Sequence, residues 1–415
     1  MLANKIISNG ITINPMKIIP LAKLWISALV LMLAGCVGPP ALHKSVLGYD
    51  ETANQLEQEI LLLNIARLSQ ESPVHFTVTG SIAATFDFTT SGNFGGSIVT
   101  SPGNNVFDFS LSTSASENPT FSIVPISGKD FIKRVVTPFP EGAYAKLGYQ
   151  DLPISIITRL MANSVEIDDK KGDRVRFMRN DASHLDEYKT FRRFVLHLES
   201  LQMQNQLFVN NLIFDKVILD SVKEPWDKNP LSLATGVDSG LSWRHNDDGT
   251  YTVMKRTIGR VLISNYDQRI LTDEELNALN EIANHRPANY VMVDIRPGHP
   301  GGEFSLFGAI ELRSFYHILH FVSKGVGGIQ QDLQITITAD PRTHGKIEHN
   351  PRQTLTINVS DNAPSDDVLH IQYKGRYYSV GDSPWDRTAF MILNSLFQAT
   401  VADVSNVGFP ITISK

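Results

Sequence analysis

His317 and His320 stand three residues apart, a spacing that puts both rings on one side of a helix. A metal would need a third ligand, and a zinc peptidase would need a glutamate inside the motif. Their neighbours Phe315, Ile318, Leu319 and Phe321 are apolar, so half-buried structural histidines are expected. His344, Glu348 and His349 follow Asp340-Pro341-Arg342 in a loop, where polar side chains need no further role. The acid pairs Asp168-Asp169, Asp247-Asp248 and Asp366-Asp367 are adjacent and read as solvated turn residues. Glycosidase carboxylates instead face each other across a scissile bond. Asp382-Ser383-Pro384 reads as the cap of a helix. The chain has no GxSxG elbow, no GxGxxG or GxxxxGK[ST] loop and no HExxH. A hydrolase acting on cell-wall glycan or peptide would have to gather residues remote in sequence, such as His299, Glu303 and His317. No catalytic, cofactor-binding or metal-ligating set is assigned, and no cofactor is expected.

The single cysteine, Cys36, carries a clearer signal. It excludes an intramolecular disulfide and any CxxC site. Upstream lie Met16-Lys17-Ile18-Ile19-Pro20-Leu21-Ala22-Lys23 and an apolar run from Leu24 to Leu33. A basic segment before a short apolar one is the layout of a secretory signal peptide, and the run is shorter than the roughly 20 residues a transmembrane helix needs. It ends in Leu33-Ala34-Gly35-Cys36, which resembles a bacterial lipobox. In that class of signals the cysteine sulfur is diacylglycerylated before cleavage. Lipidation is therefore expected at Cys36, with residues 1–15 an upstream extension, 16–35 the signal peptide and 36–48 an unstructured lipidated tether opening with Gly38-Pro39-Pro40.

Removing residues 1–35 takes away Lys5, Lys17 and Lys23 and no acid. Three fewer than 37 bases leaves 34 against 43 acids, a net charge of −9 where the whole chain has −6. Attachment to the bilayer is then through acyl chains and not through a basic patch; at about 0.8 kcal/mol per buried CH₂, three chains hold far more firmly than one. The absence of a Lys/Arg block also argues against nucleic acid as a partner. Val37 occupies the position where lipoproteins retained in the inner membrane usually carry Asp, which favours the outer membrane.

Behind the anchor, apolar residues Leu56, Ile60, Leu63 and Leu68 recur near helical spacing and predict a helix from about Tyr49 to Leu68, stopped by Pro73. Composition then changes. From Leu68 to Gly128 there is no Lys or Arg, and Ser, Thr, Gly and Asn dominate. His75 to Phe88 alternates, with Phe76, Val78, Ile82, Phe86 and Phe88 on one face. Further strands are predicted at Val106–Leu111 and Thr120–Ile126 after a Gly-rich turn. A strand such as 76–88 exceeds the roughly 9–11 residues that cross a bilayer, so its apolar face could meet lipid, a partner or the protein's own core. Core packing is favoured, because the second strand is short and Pro73 ties the first closely to the helix.

From residue 128 to 415 the pattern is α+β. Helices are predicted from Ser127-Gly128-Lys129-Asp130 to Val136 and at Glu141–Leu147, Leu152–Met161, His184–Gln206 behind the cap Asp181-Ala182-Ser183, Thr272–Asn284, Leu312–Ser323 and Trp385–Val401. Strands are predicted at Ser164–Ile167, Arg174–Met178, Leu212–Asp220, Gly240–Arg244, Tyr251–Ile263, Tyr290–Arg296, Leu333–Ala339, Thr354–Ser360, Val368–Tyr373, Arg376–Val380 and Pro410–Ser414. The expected fold is α+β, with mixed, largely antiparallel sheets and several packed helices. Residues 49–127 form the helix and hairpin region and 128–415 the body.

Leu61-Leu62-Leu63-Asn64-Ile65-Ala66-Arg67 with Pro73-Val74-His75-Phe76, Pro119-Thr120-Phe121 with Pro125 to Phe131, and Tyr377-Tyr378-Ser379-Val380 resemble an uncharacterised family of proteobacterial lipoproteins. The resemblance spans most of the chain behind Cys36 and implies a lipoprotein without an assigned activity. The expected function is that of a non-enzymatic outer-membrane lipoprotein facing the periplasm, a scaffold or assembly component of an envelope complex. Its expected partners are the bilayer through acylated Cys36 and either an envelope protein or further copies of itself; an oligomeric pore fed by the hairpin is the alternative to be weighed.

Overall fold

The computed structural model describes residues 38–97, 106–126, 129–169, 174–223, 240–328, 350–401 and 411–414. Contacts divide these into two compact units. One holds the described residues up to Glu57 with Ile82–Pro119; the other holds Gln58–Ser81 with the described residues from Thr120 onward.

Helix α1 runs Gly38–Ser69, eleven residues earlier than its apolar periodicity predicts. Pro39 and Pro40 fall in its first turn, where a missing N–H costs nothing, so the segment expected as an unstructured tether is helical from Gly38. Two long strands follow, β1 (Phe76–Ser97, 22 residues) and β2 (Val106–Ile126, 21 residues). They are hydrogen-bonded neighbours, and the eight residues between them are too few for a parallel crossover, so they form an antiparallel hairpin. The two short strands predicted at 106–111 and 120–126 belong to one continuous strand, β2. The third strand of this sheet is β13 (Ile411–Ser414), antiparallel to the base of β2 with Ile411 opposite Ile123 and Ser414 opposite Thr120.

The remaining elements, in chain order, are α2 (Lys129–Val136), α3 (Glu141–Gly148), α4 (Ile154–Met161), β3 (Ala162–Asp168), β4 (Arg174–Arg179), α5 (Leu185–Met203), β5 (Phe208–Val222), β6 (Leu241–His245), β7 (Tyr251–Ser264), α6 (Asp273–Asn284), β8 (Tyr290–Ile295), β9 (Leu306–Leu312), α7 (Phe315–Ser323), β10 (Ile357–Ser360), β11 (His370–Tyr373), β12 (Arg376–Val380) and α8 (Pro384–Val401). A seven-stranded sheet has the order β4-β3-β9-β8-β7-β5, with β6 also on β7; a small sheet has the order β10-β12-β11. Every described pairing in these two sheets is antiparallel except β7 with β8. The fold is α+β.

The centre of the large sheet, β8, β9 and the end of β7, is buried on both faces, and the period of two sorts its residues into two cores. Val261, Ile263, Val291, Val293, Ile295 and Ile310 point into the main core with α1, α4, α5 and α8. The residues between them, Leu262, Met292 and Ala309, join Leu212 and Phe214 under Leu276, Leu279 and Ala283 of α6. This accounts for the continuous apolar run of β8, which is bounded by charge only at its end. Strand β9, absent from the sequence expectation, lies between β3 and β8. Gly308 hides it from a pattern search, yet the glycine is required: a Cβ there would lie 2.0 Å from the Glu166 carbonyl oxygen on β3.

Helix ends follow local rules. Thr272 and Glu275 form a reciprocal capping box on α6, and Ser383 exchanges hydrogen bonds with Asp386 at the start of α8. Before α5, Asp181 accepts from the Ser183 N–H and hydroxyl in an Asx turn, while the capping position itself is His184. Among the described residues no helix is long and apolar enough to cross a membrane. The expected strand Leu333–Ala339 lies outside the described residues.

Candidate functional site

The root of the hairpin is built into the body. Asn64 on α1 is fully buried; its amide donates to the His75 carbonyl at 2.9 Å and its Oδ1 accepts from the His75 N–H at 2.9 Å. A side-chain amide thus completes the backbone just before β1 starts, as a neighbouring strand would. Arg67 donates to the same Asn64 oxygen at 3.1 Å. One residue on, the Phe76 ring is buried among three others: Phe131 at 5.6 Å edge-on, Phe397 at 5.6 Å stacked and Phe315 at 6.1 Å. Phe76 therefore packs on the protein's own core, at the first residue of β1. The segments Leu61–Arg67 and Pro73–Phe76, prominent in the sequence, supply this clamp.

The candidate chemical residues fare differently. Cys36, like His344, Glu348 and His349, lies outside the described residues. His317 and His320 sit on α7 with exposed side chains, not half buried, because the buried face of that short helix is taken by Phe315, Ile318, Leu319 and Val322. Surrounding protein and the Arg313 cation push the His317 pKa down to about 4, so the ring is neutral at pH 7. No group of three or more His, Cys, Asp or Glu side chains among the described residues could hold a metal ion; His299, Glu303 and His317 form no such trio. His299 lies against the Tyr266 ring at 5.3 Å.

Asp247-Asp248 and Asp366-Asp367 are exposed turn residues, and Asp248 spends its carboxylate on the Thr250 N–H and hydroxyl. Asp168 differs from the expectation. It ends β3, is 7% exposed, and both its oxygens accept from Arg286, which also grips Glu166. Burial raises the Asp168 pKa against the pull of the guanidinium. One arginine binding two carboxylates two positions apart on a strand is a structural clamp joining β3 to the loop before β8.

A second clamp is Arg260, at a bulge of β7. Its Nε donates to Glu141 at 2.7 Å, and its two Nη groups donate to the carbonyls of Ala283, Arg286, Pro287 and Tyr290 at 2.7–3.0 Å. All five guanidinium donors are used. Beside it a groove of about 570 Å³ is lined by Tyr149, Phe208, Ile213, Ile258, Arg256, Asp267 and Arg269 among others. Its carboxylate, Asp267, is hydrogen-bonded to Arg269, which holds its pKa below the usual range. Paired with its own arginine, Asp267 offers the groove a charged contact. These residues come from positions 149 to 276 and carried no common signal in the sequence.

No protein-family model, curated protein or solved structure matches this chain.

Proposed function

We propose that this chain is a non-enzymatic outer-membrane lipoprotein, held in the bilayer by acylated Cys36 and facing the periplasm, that serves as a scaffold or assembly component of an envelope complex. The observation that carries this reading is the hairpin: two strands of 22 and 21 residues whose root is locked by Asn64 and Phe76. A ribbon whose first residue is buried in the body, and whose β1 is the terminal strand of its sheet among the described strands, is suited to strand pairing with a partner. The sequence Leu33-Ala34-Gly35-Cys36 behind a basic and apolar leader supports the anchor, and Val37 supports the outer membrane.

The experiment is metabolic labelling with a fatty acid combined with crosslinking in cells. Wild type should take up label, fractionate with the outer membrane and crosslink to a constant partner. Cys36→Ser should lose the label and accumulate as uncleaved precursor, since the thiolate is the acyl acceptor. Labelled or processed Cys36→Ser protein would refute the anchor, and the absence of any crosslinked partner would refute the scaffold.

A further inference from the structure

We propose that the distal hairpin closes with the same segment of further copies of this chain into a transmembrane β-barrel, a pore with Ser, Thr and Asp lining its lumen. The inference rests on the membrane-anchored reading above and names its partner as a second copy. Four observations carry it.

Length comes first. At about 3.3 Å per residue a 22-residue strand reaches roughly 70 Å, more than twice the roughly 30 Å hydrocarbon layer. The root of the hairpin, 76–81 and 120–126, belongs to the body unit, which leaves 82–119 in the other.

The alternation is the second. Even positions of β1 from 82 to 96 read Ile, Ala, Phe, Phe, Thr, Gly, Phe, Gly, and odd positions from 83 to 95 read Ala, Thr, Asp, Thr, Ser, Asn, Gly. In β2 the odd positions 107 to 115 read Phe, Phe, Leu, Thr, Ala, and the even positions 108 to 114 read Asp, Ser, Ser, Ser. Glu117 and Pro119 end the pattern. Nine residues, 107–115, and a matching stretch of β1 meet the roughly 9–11 that a tilted barrel strand needs, one face apolar and one hydroxylic. No Lys or Arg occurs between Leu68 and Gly128, the residues that cost most on a lipid face.

Third, the segment that follows Cys36 belongs with this part of the hairpin: the described residues up to Glu57 and Ile82–Pro119 form one compact unit. In sequence, Cys36 lies two residues before the first described residue of this unit, Gly38.

Fourth, the hairpin's edges need cover. In the order β1-β2-β13, β1 is terminal, and β13 pairs only with residues 120–123 of β2. A strand edge of this length with no Lys or Arg to guard it is an aggregation hazard in water, and an edge left unpaired in lipid is costly. Pairing β1 of one copy with β2 of the next satisfies both edges and, repeated around a ring, leaves none.

The test uses the full-length lipoprotein reconstituted in phosphatidylethanolamine–phosphatidylglycerol vesicles. Cys36 is consumed by acylation, so single cysteines introduced as Ile82→Cys, Ala83→Cys, Ala84→Cys, Thr85→Cys, Phe86→Cys and Asp87→Cys can carry an environment-sensitive fluorophore. A lipid-borne quencher should dim 82, 84 and 86 several-fold more than 83, 85 and 87, and an aqueous quencher should do the reverse. Pairs of variants labelled in β1 and β2 should crosslink between copies, and entrapped small dye should leak. Uniform access to the aqueous quencher, or absence of crosslinks between copies, overturns the pore. Because each sample is also assayed for acyl label, failure of the pore with label present is distinguished from failure of the lipoprotein reading, in which label is absent.

Discussion

Replacing Phe76 by alanine removes a ring that is 4% exposed and touches Phe131, Phe315 and Phe397 at 5.6–6.1 Å. Burying a phenyl side chain and then deleting it costs about 3–5 kcal/mol in a close-packed core. Three ring partners, each adding about 0.5–1.5 kcal/mol beyond area, put this site in the upper half of that range, about 4 kcal/mol. At roughly 2–4 °C per kcal/mol for a domain of a few hundred residues, melting should fall by about 10 °C. Phe86→Ala is the comparison: it removes the same atoms from the distal strand and should change stability by less than about 1 kcal/mol. Urea denaturation of the detergent-solubilised chain, followed by near-ultraviolet circular dichroism, measures both. Phe76→Leu should recover more than half of the loss, since it refills most of the volume. A Phe76→Ala variant as stable as wild type would refute the clamp, and a Phe86→Ala variant as damaged as Phe76→Ala would show that the distal face packs on the body.

Arg260→Ala should destabilise the chain by about 3 kcal/mol, since it strands Glu141 and four carbonyls; Arg260→Lys should rescue only part of this in the same denaturation assay, a lone ammonium being unable to span the five sites. Gly308→Ala should cost more than about 2 kcal/mol, because the added Cβ meets the Glu166 carbonyl oxygen at 2.0 Å; hydrogen exchange should show β3 and β9 loosening together. For His317, whose folded pKa of about 4 lies below the ordinary 6.5, the unfolded chain takes the proton first as pH falls. Stability should therefore decline between pH 6.5 and 4, by about 1 kcal/mol after allowing for solvent at this exposed ring, and His317→Gln should flatten that slope in a pH series of melts.

The period-two pattern made β1 legible from His75 onward, and Thr272-Asp273-Glu274-Glu275 gave the start of α6. What escaped was set by tertiary contact. Strand β9 reads poorly because Gly308 has no side chain to show a face, and the reason for the glycine is a carbonyl 142 residues earlier in the chain. Asp168 looks like a turn residue beside Asp169 until Arg286 arrives from the far end of α6. Helix α1 extends through Gly38-Pro39-Pro40 because prolines restrain a helix only past its first turn. The groove near Arg269 draws on Tyr149 just past α3, on β5, β7 and α6, whose approach no local pattern encodes.

The central claim is that lipid-anchored copies of this chain assemble through their hairpins. Native mass spectrometry of the lipoprotein extracted from outer membranes in mild detergent tests it most directly. The account predicts a closed assembly whose mass is a whole multiple of a single chain beginning at acylated Cys36, and which falls apart when residues 82–119 are deleted. A single-chain mass under conditions that preserve other membrane oligomers would contradict it.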